Sequence, residues 1–158
     1  MKRFILLAIV VLVLVPALVF AVAGTSTTPA VAYNADQLTN YKSKVISFTI
    51  TDKAAGTTVA IAETDVLGYW LCSMETNPGT TAPQDNYDIV INSAGGADIL
   101  GGAGANRDEA NTEIAYPTID STSGQKGCVP VNSALSLVLS GNNVNNATVD
   151  VKLLLVRP

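Results

Sequence analysis

Hydrophobic and polar positions divide the chain into three regimes. Phe4 to Phe20 is apolar apart from Pro16, and Gly24 to Ala32 (GTSTTPAVA) is small and hydroxyl-rich, the composition of a flexible leader. Ordered structure is expected from about Tyr33, where the pattern changes to short alternating runs broken by Gly, Pro, Asn and Asp. Asn34 to Tyr41 has the polar residues of a single helical turn. Val45 to Thr51 (VISFTIT) alternates, which predicts a half-buried strand with Ile46, Phe48 and Ile50 inward. Asp52 to Gly56 reads as a hairpin turn and Thr57 to Ala62 as its returning strand.

Val66 to Met74 (VLGYWLCSM) is apolar on both faces, with Val66, Trp70, Cys72 and Met74 on one side and Leu67, Tyr69 and Leu71 on the other. That predicts a strand buried on both faces, or one bridging core and partner, rather than an edge, with Trp70 in the core. Gly68 and the lack of a polar stripe weigh against a helix.

The stretch from Asn77 to Arg107 organises the rest. Pro78-Gly79 is a turn pair, and Pro83 keeps the approach extended. Tyr87 to Asn92 (YDIVIN) is a strand with Tyr87, Ile89 and Ile91 on one face. Ser93 to Gly96 turns it, and Ala97 to Leu100 makes a brief return. Gly101, Gly102 and Gly104 form a loop that needs positive φ or close approach of another surface, and with Asn106 and Arg107 they are the candidate binding loop.

Later, Ile114 to Pro117 reads as a strand end pinned by proline, and Asp120 to Gly127 as an exposed loop. Ala134 to Ser140 places Leu135, Leu137 and Leu139 on one face. Thr148 to Val156 does the same with Val149, Val151, Leu153 and Leu155, and Gly141 to Asn146 is the turn between them. Seven or eight short strands at this spacing predict an all-β single domain, an antiparallel β-sandwich or jelly-roll-like fold, over residues 33–158.

The N-terminus adds a compartment. Lys2 and Arg3 precede the apolar run, and Ala21-Val22-Ala23 supplies the small residues of a cleavage site. Residues 1–23 therefore read as a signal helix cut after Ala23, with Ala21 the second choice and 24–32 the leader. An uncleaved membrane helix is the alternative, since twenty apolar residues just span a bilayer. Without Lys2 and Arg3 the chain carries seven basic and thirteen acidic side chains. It lacks the basic footprint of a nucleic-acid binder.

Two cysteines in an exported chain read as a disulfide, Cys72 to Cys128. Closing a loop of that length stabilises by about 4 kcal/mol in the chain-entropy picture. Two separate buried thiols are the alternative.

The chain has no histidine. Ser-His-Asp and Cys-His nucleophile systems, imidazole-bound zinc and a histidine base are thereby excluded. No nucleophile elbow or phosphate-cradling loop is present. A carboxylate pair for glycoside hydrolysis is open in principle, but the acidic residues sit mostly in turns, where Asp forms local hydrogen bonds. The reading is non-enzymatic, with no cofactor. One metal constellation deserves weighing: Gly95 to Asn106 echoes a calcium-binding glycine-aspartate repeat, with Asp98, Asn106 and Asp108 as oxygen ligands. It is one residue short, carries Asn106 where Asp is expected, and occurs once where such sites stack. A tight glycine loop at a strand crossing is the favoured account.

Three runs in fixed order, NPGTTAPQDNYDIVIN, DILGGAGANR and SGNNVNNAT, resemble small proteins encoded among bacteriophage and prophage structural genes. The resemblance spans roughly Val66 to Val156. It implies a virion-associated or surface β-module with no catalytic residues to carry over, and homo-oligomer or virion-protein partners. Two functions follow as expectations. One is a structural or assembly module, such as a decoration or tail-associated protein. The other is an exported module that binds a glycan or cell-surface partner through its loops, with Tyr69, Trp70, Tyr87 and Tyr116 available for stacking.

Overall fold

In the computed structural model, the described residues are 30–34, 42–52 and 56–157. The expected signal helix, the start of the leader and the polar turn after Asn34 lie outside them. Two antiparallel sheets enclose one core. The large sheet contains β1 (Ala30–Asn34), β2 (Lys42–Asp52), β4 (Trp70–Pro78), β6 (Glu113–Ala115), β9 (Val129–Pro130) and β11 (Ala147–Arg157). Its order is β1-β2-β11-β4-β6, and β9 pairs with β4 on the same edge as β6. The small sheet has the order β3-β10-β5, from β3 (Thr57–Ile61), β10 (Leu135–Ser140) and β5 (Asp88–Ser93). A helical turn α1 (Glu63–Val66) and a hairpin of β7 (Thr118–Asp120) and β8 (Gln125–Lys126) complete the described elements.

The alternation places the core as expected. Ile46, Phe48 and Ile50 of β2 and Val149, Val151, Leu153 and Leu155 of β11 are buried against Leu135, Leu137 and Leu139 of β10 and Ile89 and Ile91 of β5. Period-two side chains with one apolar face leave each strand only one way to sit on the core. The fold is an all-β antiparallel sandwich.

Pairing departs from the local reading. β2 and β3 form no hairpin: β2 pairs with β1 and β11, whereas β3 pairs with β10. The chain changes sheets after Asp52, and residues 53–55 of the expected turn lie outside the described ones. The Gly141–Asn146 turn likewise carries the chain from the small sheet to the large. The physical reason is length: residues 42–52 match residues 147–157 along the whole strand, a larger pairing than any local hairpin offers. β1 also begins at Ala30, inside the expected leader, and Asp120 to Gly127 is shaped by the β7–β8 hairpin.

Val66 to Met74 is not one strand. Val66 closes α1, Gly68 turns the chain at φ 78, and β4 begins at Trp70. A bulge then breaks the alternation, because Leu155 pairs with Leu71 while its neighbour Leu154 pairs with Ser73. Cys72 is the extra residue. Leu71 and Met74 consequently both face the core, and Trp70 faces solvent, contrary to its expected place in the core.

Candidate functional site

The glycine loop is a strap along β5. Ser93 N–H donates to Ala97 O (2.8 Å), Ile99 N–H to Ile91 O (2.8 Å), Ile89 N–H to Gly104 O (2.8 Å) and Arg107 N–H to Tyr87 O (2.7 Å). These bonds occupy the edge of β5 that β10 leaves free, so the loop seals a sheet edge that would otherwise offer unpaired backbone groups. Gly104 is required by contact, since a Cβ there would strike Ile89 O. Gly102 is required by conformation: φ is 80° and nothing lies within 4 Å. Gly101 meets both demands, with φ 58° and Thr118 O in the place of a Cβ.

The candidate metal ligands serve their own turns. Asp98 Oδ1 accepts from Leu100 N–H (2.9 Å) and Oδ2 from Gly102 N–H (2.7 Å), so both oxygens hold the loop. Asn106 sits at φ 54 and its N–H donates to Asp88 Oδ1 (2.9 Å). Asp108 accepts from the Asn111 side chain and from the backbone of Ala110 and Asn111, bonds that hold its carboxyl below the usual range. Among the described residues, no three His, Cys, Asp or Glu side chains are grouped to hold a metal ion.

Arg107 points into the protein. Its side chain is 12% exposed, with Nε 3.4 Å from Glu113 Oε2, which also accepts from Asp108 N–H (2.8 Å). Tyr87 lies across the strap from Arg107, and Thr76 faces Glu113 in the β4–β6 pair. Tyr87 and Thr76 are fully buried, and burial pushes the Tyr87 hydroxyl up. Sequence reading placed Arg107 in the candidate binding loop but missed its carboxylate partner Glu113, which meets it because Glu113 opens β6.

The solvent face of the large sheet shows a different surface. Trp70 lies between Val156 and Pro130, and Leu154 between Val45 and Ser73. Ile114 stands opposite Glu75, and Tyr116 follows two residues on. Trp70 is 42% and Tyr116 53% exposed, with Leu154 and Ile114 also exposed. Further along β4 and β11 the described side chains of this face are polar: Lys152 Nζ pairs with Glu75 Oε1 (2.7 Å), and on the neighbouring strand Thr49 Oγ1 donates to Asp150 Oδ1 (2.7 Å). The apolar surface is thus gathered at the end of the sheet where β4 begins. Of the other aromatics, Tyr87 is buried. Tyr69 is partly buried, with Lys44 Nζ and the Arg157 guanidinium each 4.6 Å from its ring centre.

The Cys72–Cys128 disulfide fastens this end. It joins the β4 bulge to the residue before β9, whose Pro130 flanks Trp70. Such a bond belongs to an oxidising environment, extracellular or periplasmic. No helix among the described residues is long and apolar enough to cross a membrane. Compared with known protein families, curated proteins and solved structures, the chain shows no match.

Proposed function

We propose that this chain is an exported, non-enzymatic structural module, a decoration or tail-associated component of a virion, that works by associating with copies of itself. The observation that carries the reading is the apolar end of the large sheet's outer face, where Trp70, Leu154, Val156, Val45 and Pro130 adjoin. A sheet surface of this composition resembles the apolar centre of a protein interface, and the Lys152–Glu75 and Thr49–Asp150 pairs beside it resemble the polar rim. The signal-like residues 1–23 support export, as does the disulfide. The acidic side chains support a non-catalytic role, because Asp98, Asp108 and Asp120 are occupied as turn caps.

The test is the solution mass of the exported chain by light scattering, beside that of a Trp70→Ser, Leu154→Ser variant. A stable oligomer whose mass falls in the variant supports the reading; a wild-type monomer at sub-millimolar concentration overturns it.

A second reading has one observation in its favour. Trp70 and Tyr116 are both exposed, and exposed aromatic rings stack on sugar faces. An exported glycan-binding module is the function this supports. Glycan-array binding that disappears in Trp70→Ser is its test, run with and without a calcium chelator.

A further inference from the structure

The two edges of the small sheet are treated differently. On β5 the strap from Ala97 to Arg107 occupies the edge with backbone hydrogen bonds. On β3 one edge pairs with β10, and among the described residues no backbone hydrogen bond reaches the other. An open edge is a template for another strand, and proteins usually blunt it with a charge, a proline or a bulge. β3 (TTVAI) has none of these: it carries no charged residue and no proline, and its register to β10 is unbroken.

Its pattern is also self-complementary. Thr57, Val59 and Ile61 are buried, and Thr58 and Ala60 are exposed. Turned antiparallel on itself about Val59, the strand sets Val59 opposite Val59, Thr57 opposite Ile61, and Thr58 opposite Ala60. Every core-facing residue then meets a core-facing residue, and the small outward side chains meet each other. A twofold contact of this kind uses the same patch on both copies, and added strands draw their affinity from main-chain hydrogen bonds.

We infer that β3 pairs edge to edge with β3 of a second copy, about a twofold axis at Val59, joining two three-stranded sheets into one of six. This surface is separate from the Trp70 face, and the inference shares with the proposed function only the association of copies. With the Trp70 face as a second, separate self-contact, the chain builds assemblies larger than a dimer.

The experiment compares solution masses of the exported wild-type chain, a Thr58→Lys, Ala60→Lys variant, the Trp70→Ser, Leu154→Ser variant, and the four changes combined. The paired lysines set ammonium groups opposite one another across the edge contact, which is repulsive. Both sites are solvent-facing, and circular dichroism checks the fold. The expected result is a wild-type assembly above a dimer, a dimer from either pair of changes, and a monomer from all four. Hydrogen exchange at Thr57–Ile61 is expected to slow about tenfold as wild-type concentration rises, because pairing protects the edge amides.

The inference is overturned if the lysine variant keeps the wild-type mass; loss of mass in the Trp70 variant alone would then leave the face contact standing. A dimer broken by the lysines but indifferent to Trp70 and Leu154 supports the edge contact and removes the other. A wild-type monomer with concentration-independent exchange at β3 removes both.

Discussion

Gly104 lies so close against Ile89 that a Cβ on the glycine would meet the isoleucine's carbonyl oxygen, while the Ile89 N–H donates to Gly104 O at 2.8 Å. The two backbones are in direct contact, and that contact seals the edge of β5. Gly104→Ala should therefore push the strap away from the strand. A loss of about 2 kcal/mol in urea unfolding is expected from the overpacking. Gly95→Ala is the control, because its Cβ would meet only Ser93 Oγ at 3.8 Å, and should cost far less.

The disulfide closes a loop of sequence separation 56. Replacing both cysteines by serine should cost about 4 kcal/mol at most, by restoring chain entropy to the unfolded state. Thermal unfolding with and without reductant gives the same comparison in the wild type, and the double variant should be insensitive to reductant.

Trp70 and Leu153 test the burial pattern of the large sheet. Leu153 is fully buried and Trp70 is 42% exposed, although tryptophan is the larger side chain. Leu153→Ala should cost about 2–5 kcal/mol, the range for a buried leucine. Trp70→Ser should cost about 1 kcal/mol or less, as expected at a surface position, with its effect falling on association. Denaturant melts of the two variants give the ranking directly.

Asn142 is a polar anchor inside the turn between β10 and β11. It is buried, its Oδ1 accepts from Gln84 N–H and Val144 N–H (both 2.9 Å), and its Nδ2 donates to Val144 O (2.8 Å). Asn142→Ala would leave part-buried backbone donors without this acceptor. A loss of about 1–3 kcal/mol is expected, read as a lower urea midpoint. Asn143→Ala, an exposed change in the same turn, should cost much less.

Acid should destabilise the protein through Asp108 and Asp120. Hydrogen bonds from Asn111 and Ser123 hold these carboxyls below their ordinary values. A depressed carboxylate contributes stability above its unfolded value, and that contribution is lost as pH falls through the folded one. Urea midpoints should accordingly drop between about pH 4 and more acidic conditions, as the unfolded chain takes up protons first. The Asp108→Ala, Asp120→Ala variant should be less stable at neutral pH and show a shallower acid decline.

The sequence by itself determined which residues form the core of each strand. Ile46, Phe48 and Ile50, Tyr87, Ile89 and Ile91, and the two late leucine and valine sets were all legible. Their period-two alternation has one solution once a single face must be buried. The cysteine pair and the need for glycine at Gly101, Gly102 and Gly104 were legible for the same kind of local reason. Tertiary structure alone decided which strands pair, because alternation carries no record of a partner: β2 chose β11 over the adjacent β3. It also decided the fate of Trp70, since one unpaired residue at Cys72 reverses Trp70 and Leu71 relative to the rest of β4. Arg107 turned inward to Glu113 through the same non-local route, when β6 brought the carboxylate beside a loop that sequence could only describe as glycine-rich.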